Sequence, residues 1–211
     1  MSSMSPFAKF NSAPKAHGLY DPSRDRDACG LAMVATLRGT AGHDIIQTAL
    51  NALRNLEHRG AIGSDAGTGD GAGILSQIPD GFFRAVVDFK LPAKGSYGAG
   101  LVFLDSEDAV RIESAFANLA LEENLRVIGW RDVPVRPENL GELARRAMPL
   151  IRQVFVTSEN ASTGMQLERQ LYRLRKRSES SLGTYHPSLS SKTIVYKGMV
   201  TTLQLEPFYP D

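Results

Sequence analysis

Asp27-Ala28-Cys29-Gly30, the helical pattern from Ile45 to Glu57, the triplet His58-Arg59-Gly60 and the glycine run that ends at Pro79 form the stretch on which the rest of the chain depends. Cys29 is the only cysteine among 211 residues. It follows a polar leader, residues 1–28, and opens the first clearly apolar run, Cys29-Gly30-Leu31-Ala32-Met33-Val34-Ala35-Thr36-Leu37. A lone cysteine is commonly a small buried hydrophobe. Removal of the leader would change its chemistry, because a terminal cysteine carries a base of its own, the α-amino group.

Composition narrows the classes. Lys and Arg number 24 against 23 Asp and Glu, so no global field favours nucleic acid or an anionic membrane. No apolar run approaches the roughly 18 residues of a membrane-spanning helix, and the opening Met1 to Phe10 lacks the apolar segment of a secretory signal. One cysteine permits no internal disulfide, no four-cysteine zinc site and no self-contained iron–sulfur cluster. A soluble chain in a reducing cytoplasm, with no metal site of its own, is the expectation.

Working outward, Cys29 to Leu37 reads as a buried strand that turns at Arg38-Gly39-Thr40. Ile45, Ile46, Ala49, Leu50, Leu53 and Leu56 recur at helical spacing, with Asp44 at the start and Gly60 as a left-handed stop. That places His58 and Arg59 at a helix C-terminus, with donors free to face a site. Gly67-Thr68-Gly69-Asp70-Gly71-Ala72 satisfies a permissive dinucleotide pattern, but a helix precedes it and the strand-like Ile74 to Ile78 follows, the reverse of what that pattern needs. The glycines are read instead as places of close backbone approach.

Further along, Pro79 to Phe89 is a short helix, Tyr97 to Leu104 a strand, and Ser106 to Asn124 an amphipathic helix with Ala109, Ile112, Phe116 and Leu119 on one face. Arg126 to Val135 is a strand stopped by Pro134 and Pro137, Glu138 to Met148 a weak helix and Ile151 to Thr157 a strand. Gly164 to Ser180 is a helix with Met165 or Leu167, Leu171 and Leu174 inward; its Arg169, Arg173, Arg175, Lys176 and Arg177 read as a solvated face. Lys192 to Tyr196 is the last strand, and Tyr209-Pro210-Asp211 carries no capping element. Alternating strands and helices give an α/β or α+β class.

Cys29-Gly30, the run Leu53 to Ala61 containing Glu57-His58-Arg59-Gly60, the run Thr68 to Pro79, and the tail from Lys197-Gly198-Met199 to Phe208-Tyr209-Pro210-Asp211 together resemble the glutaminase domain of the glutamate synthase large subunit. That family is a branch of the class II glutamine amidotransferases, within the N-terminal nucleophile hydrolases. The resemblance implies an α+β fold, here a partial four-layer αββα sandwich, with residues 1–28 as a propeptide and 29–211 as the N-terminal part of the domain. It implies glutamine as substrate and Cys29 as the nucleophile.

An amide-cleaving site needs a nucleophile, a base and donors for the developing oxyanion. A terminal Cys29 supplies the first two, its amine having an ordinary pKa of about 7.7–8.0. Arg59 is the candidate to orient or electrostatically support the thiolate; the bland alternative is a surface cation at a helix end. A papain-like pair with His17, His43, His58 or His186 is the competing arrangement, but no papain-type sequence surrounds Cys29. The substrate-binding residues stay unassigned, because the Arg-Phe-Ser-Thr-Asn segment and the Asn-Gly pair that the resemblance implies occur nowhere in these residues. FMN and an iron–sulfur cluster are implied for a whole synthase, none for this chain; the implied partners are the rest of that synthase and a small NAD(P)H-dependent subunit. The alternative is a non-catalytic fold fragment that pairs with another polypeptide.

Overall fold

A computed structural model describes residues 30–37, 39–60 and 67–211. Its centre is a three-stranded antiparallel sheet in the order β2 (Tyr97–Leu104), β4 (Leu150–Ser158), β3 (Leu125–Asp132). Alternation along the strands sorts the side chains. Val102, Leu104, Val154 and Val156 face α3 (Ala109–Glu122) and α5 (Gly164–Leu182), meeting Ile112, Phe116, Ala120, Leu167, Leu171 and Leu174 in one buried cluster. Gly98 makes the approach possible, since a Cβ there would stand 2.5 Å from a Leu171 methyl.

Tyr97, Ala99, Leu101 and Phe155 point to the opposite face. There the sheet meets a second, two-stranded antiparallel sheet of β1 (Ala72–Gln77) and β5 (Thr193–Gly198), paired from Ala72↔Gly198 to Gln77↔Thr193. Ile78, Ile194 and the short α2 (Asp80–Val86), through its buried Phe83, complete that cluster. The described residues thus stack as helices, sheet and sheet, an α+β arrangement. The outer face of β1 is open among them, with Leu75 65% exposed.

Most elements stand where periodicity places them, and the differences have local causes. Gly30 to Leu37 forms no strand: Leu31, Met33 and Leu37 are 86%, 90% and 104% exposed. A strand needs a ladder and an apolar cover; among the described residues this run joins no sheet, and most of its apolar side chains face outward. The first helix, α1 (His43–Asn55), ends two residues early and passes into a 3-10 turn, Glu57–Arg59. Gly60 is extended (φ −86°, ψ 149°), not left-handed, because the tightened turn already satisfies the last carbonyls: Arg59 N–H donates to Leu56 O at 2.8 Å and Gly60 N–H to Glu57 O at 3.0 Å. Asp44 lies in the first turn of α1 but makes no cap hydrogen bond.

On α5, Leu167 is the inward residue and Met165 is 60% exposed. Its basic residues are largely paired rather than simply solvated. Arg173 Nε donates to Glu123 at 2.6 Å and Arg177 Nη1 to the same carboxylate at 2.9 Å, while Arg175 and Lys176 hold Glu179. Burial raises the Glu123 carboxyl, but hydrogen bonds from Arg177 and Arg173 outweigh it and hold it below its usual value. The tail has an element that the sequence pattern hides, the four-residue α6 (Leu205–Phe208), with Leu205 and Phe208 buried. Beyond it, Asp211 pairs with Arg131, which also donates to Gln153 at 3.3 Å and lies over the Phe82 ring.

Candidate functional site

Cys29 and the leader lie outside the described residues, as do residues 61–66 of the glycine run. Arg59 is described. It closes the 3-10 turn after α1, exposed, and its Cβ is near Gly30: a Cβ added to Gly30 would stand 3.2 Å from Arg59 Cβ and equally close to Leu56 Cβ. The structure therefore brings Arg59 against the residue that follows the candidate nucleophile. Neighbouring His58 turns back on its own helix, its Nδ1 3.1 Å from Asn55 O.

The platform under this turn is assembled from distant sequence. α1 has no fully buried residue; Leu50 and Leu53 are half-buried and pack on a cluster that includes Val200, Leu205, Phe208 and Tyr209. Arg54 pairs with Glu206 of α6, and Gln47 Nε2 reaches the other oxygen of that carboxylate at 3.5 Å. The first part of the chain thus rests on its last residues.

The glycines between 67 and 73 approach the chain's own backbone. A Cβ on Gly69 would stand 2.5 Å from Val200 O, and one on Gly73 2.7 Å from Lys197 Cβ. Gly67 O accepts from Gly141 N–H at 3.1 Å and from Gln204 Nε2 at 2.7 Å, while buried Thr68 Oγ1 accepts from Ala144 N–H at 3.4 Å. These groups are already engaged by the protein's own backbone and side chains. Among the described residues no cluster of His, Cys, Asp and Glu could hold a metal ion.

His186 is removed from candidacy as a base by its surroundings. It is fully buried, stacked on Phe116, with Nε2 2.8 Å from Ser178 Oγ and 3.2 Å from Thr184 Oγ1. Burial pushes its pKa down to about 4. It is a core histidine. No sequence pattern marks Glu206 or Gln204, since each is an ordinary polar residue beside a proline-interrupted tail; only the fold shows that they grip α1 and Gly67.

The family model described as glutamine amidotransferases class-II matches residues 29–211. The chain is 44% identical over 211 residues to the glutamate synthase [NADPH] large chain of Bacillus subtilis, covering 96% of this chain and 14% of that protein. It is 38% identical over 220 residues to the glutamate synthase [NADH] of Saccharomyces cerevisiae, covering 95% of this chain and 10% of that protein. Ferredoxin-dependent glutamate synthase 1 of Arabidopsis thaliana, a chloroplastic/mitochondrial protein, is 38% identical over 210 residues, 94% of this chain and 13% of its own length. The chain thus spans a small fraction of the length of the curated relatives it matches. With its family match running from Cys29 to Asp211, this chain belongs to the class II glutamine amidotransferases, in the part that glutamate synthases share.

Proposed function

We propose that this chain is the N-terminal part of a glutaminase domain that hydrolyses the side-chain amide of glutamine and supplies ammonia for glutamate synthesis from 2-oxoglutarate in a longer synthase. Residues 1–28 act as a propeptide. Once they are removed, the Cys29 α-amine accepts the thiol proton and Sγ attacks the amide carbon. The tetrahedral oxyanion collapses to a thioester as the amine returns the proton to departing ammonia; water then attacks, releasing glutamate and restoring the thiol. Arg59 supports the thiolate electrostatically. The observation that carries this reading is the place of Arg59 against Gly30, the residue next to the first one that the family model matches.

The finer features follow from the same reading. The two described sheets and the α3–α5 layer are three layers of a four-layer sandwich whose remaining layer would cover the open outer face of β1. FMN and an iron–sulfur cluster belong to other parts of the synthase. The relatives carry NADPH, NADH or ferredoxin in their names; among these a small NAD(P)H-dependent subunit is the partner proposed for this chain, in the cytoplasm. A second reading, a fragment that pairs with another polypeptide, draws on the exposure of Leu31, Met33 and Leu37.

The test uses the full-length synthase. Intact mass should show loss of residues 1–28, and Cys29→Ser should abolish glutamine-dependent glutamate formation while leaving the ammonia-dependent reaction in place. Fully active enzyme that retains Met1 or Ser2, or equal loss of both activities in Cys29→Ser, would overturn the assignment.

A further inference from the structure

We propose that Glu206 is a positioning residue for Arg59, acting through α1; this rests on the assignment of Arg59 above. The two ends of the contact differ in how they are held. α6 is seated by buried Leu205 and Phe208, by Asn139 Nδ2 donating to Pro207 O at 3.0 Å, and by Arg136 N–H donating to Phe208 O at 3.0 Å. α1 has no fully buried side chain. Its position therefore depends on few contacts, and Glu206 supplies two of them.

The geometry of those contacts suits a positioning role. Gln47 and Arg54 are seven residues apart, two helical turns along one face of α1, and each reaches a different oxygen of the same carboxylate. One planar group gripping two turns fixes both the rotation of the helix and its slide along its axis. The Glu57–Arg59 turn continues directly from that helix, so a rotation of α1 would carry Arg59 away from Gly30. Glu206 is exposed enough that the pair adds little to global stability. Its effect lies in where Arg59 stands.

The experiment compares Glu206→Ala, Glu206→Gln, Arg59→Ala and the charge swap Arg54→Glu/Glu206→Arg in the full-length synthase. Glutamine-dependent and ammonia-dependent turnover are measured together with amide hydrogen exchange over residues 43–59. Glu206→Ala is expected to lower kcat with glutamine about tenfold, part of the roughly 10²-fold that a 1 Å misplacement costs. KM and ammonia-dependent turnover should hold, and exchange should rise over 43–59 alone. Glu206→Gln, which keeps an acceptor without the charge, should fall between, and the swap should recover most of the loss. A merely structural role would raise exchange throughout and lower both activities alike, which overturns the proposal. Unchanged turnover and exchange in Glu206→Ala beside an inactive Arg59→Ala overturns the role of Glu206 alone. Full turnover in Arg59→Ala overturns the role of Arg59, and this proposal with it.

Discussion

Gly30 stands against Arg59, with room for a hydrogen and little more: a Cβ on Gly30 would lie 3.2 Å from Arg59 Cβ. The contact joins two motifs that are 29 positions apart in sequence. A side chain at position 30 would make the 3-10 turn give by a few tenths of an ångström, because Arg59 and Leu56 both stand against that point.

Gly30→Ala should therefore lower glutamine-dependent turnover of the full-length synthase by about tenfold, the order expected when a supporting group shifts by a few tenths of an ångström. Ammonia-dependent turnover should be unchanged. Steady-state kinetics with the two nitrogen donors makes the comparison, and Gly30→Val should be worse than Gly30→Ala because Leu56 crowds the same point.

The glycine run offers a test of a different kind. A Cβ on Gly69 would lie 2.5 Å from Val200 O and 2.6 Å from Thr201 N, both backbone atoms that cannot swing aside. Gly69→Ala should destabilise the fold by about 2 kcal/mol, in the range of overpacked sites, and lower Tm by about 4–8 °C. Thermal unfolding followed by circular dichroism measures this. An unchanged melt would mean that the Val200–Thr201 backbone gives way without cost and that the close approach at Gly69 does not hold these segments together.

His186 makes stability depend on acid. Its folded pKa of about 4 lies below the ordinary 6.5. Below pH 6.5 the unfolded chain takes up a proton that the folded one refuses, so stability present above that value is lost progressively as pH falls to about 4. Each unit of difference is worth about 1.4 kcal/mol, which makes the full loss about 3 kcal/mol. Denaturant titrations from pH 7 to pH 4 should show this slope, and His186→Gln should flatten it. The loss of Glu123 as a partner for Arg173 and Arg177 adds a further decline only below its ordinary value of 4.5, because its folded value is the lowered one.

The sequence makes the strands and long helices legible because their periods are set by what they bury. Tyr97 to Leu104 is bounded as a strand by its apolar residues alone, and Ile112 and Phe116 mark the inward face of α3 before any partner is known. Failures occur where pattern and context part. The run from Gly30 to Leu37 has the composition of a buried strand, but burial requires a partner, which composition does not supply. Gly60 has the residue type of a left-handed stop, yet the preceding 3-10 turn removes the need for one. At the candidate site, Arg59 stands out because of its motif, whereas Glu206 is invisible: its proposed role rests on an ion pair across 152 residues to Arg54, and no local pattern encodes that distance.

The last prediction concerns the 211 residues on their own. They contain Cys29 and Arg59 but no Asn-Gly pair and no Arg-Phe-Ser-Thr-Asn segment anywhere, so the oxyanion donors and the carboxylate clamp that the family resemblance implies are not among them. Loss of a single oxyanion donor costs about 10²–10³ in turnover, and an unclamped glutamine loses the orientation that makes attack efficient. The chain should release ammonia from glutamine at less than about a hundredth of the full-length rate. Its surface points the same way: the outer face of β1 is open at Leu75, and Leu31, Met33 and Leu37 are exposed together, a combination that favours association. Ammonia release and size-exclusion chromatography on the expressed chain test both points. A monodisperse monomer turning over glutamine as fast as the full-length enzyme would show that every essential group lies between Cys29 and Asp211, and the search for the oxyanion donors would return to the loops that flank Arg59.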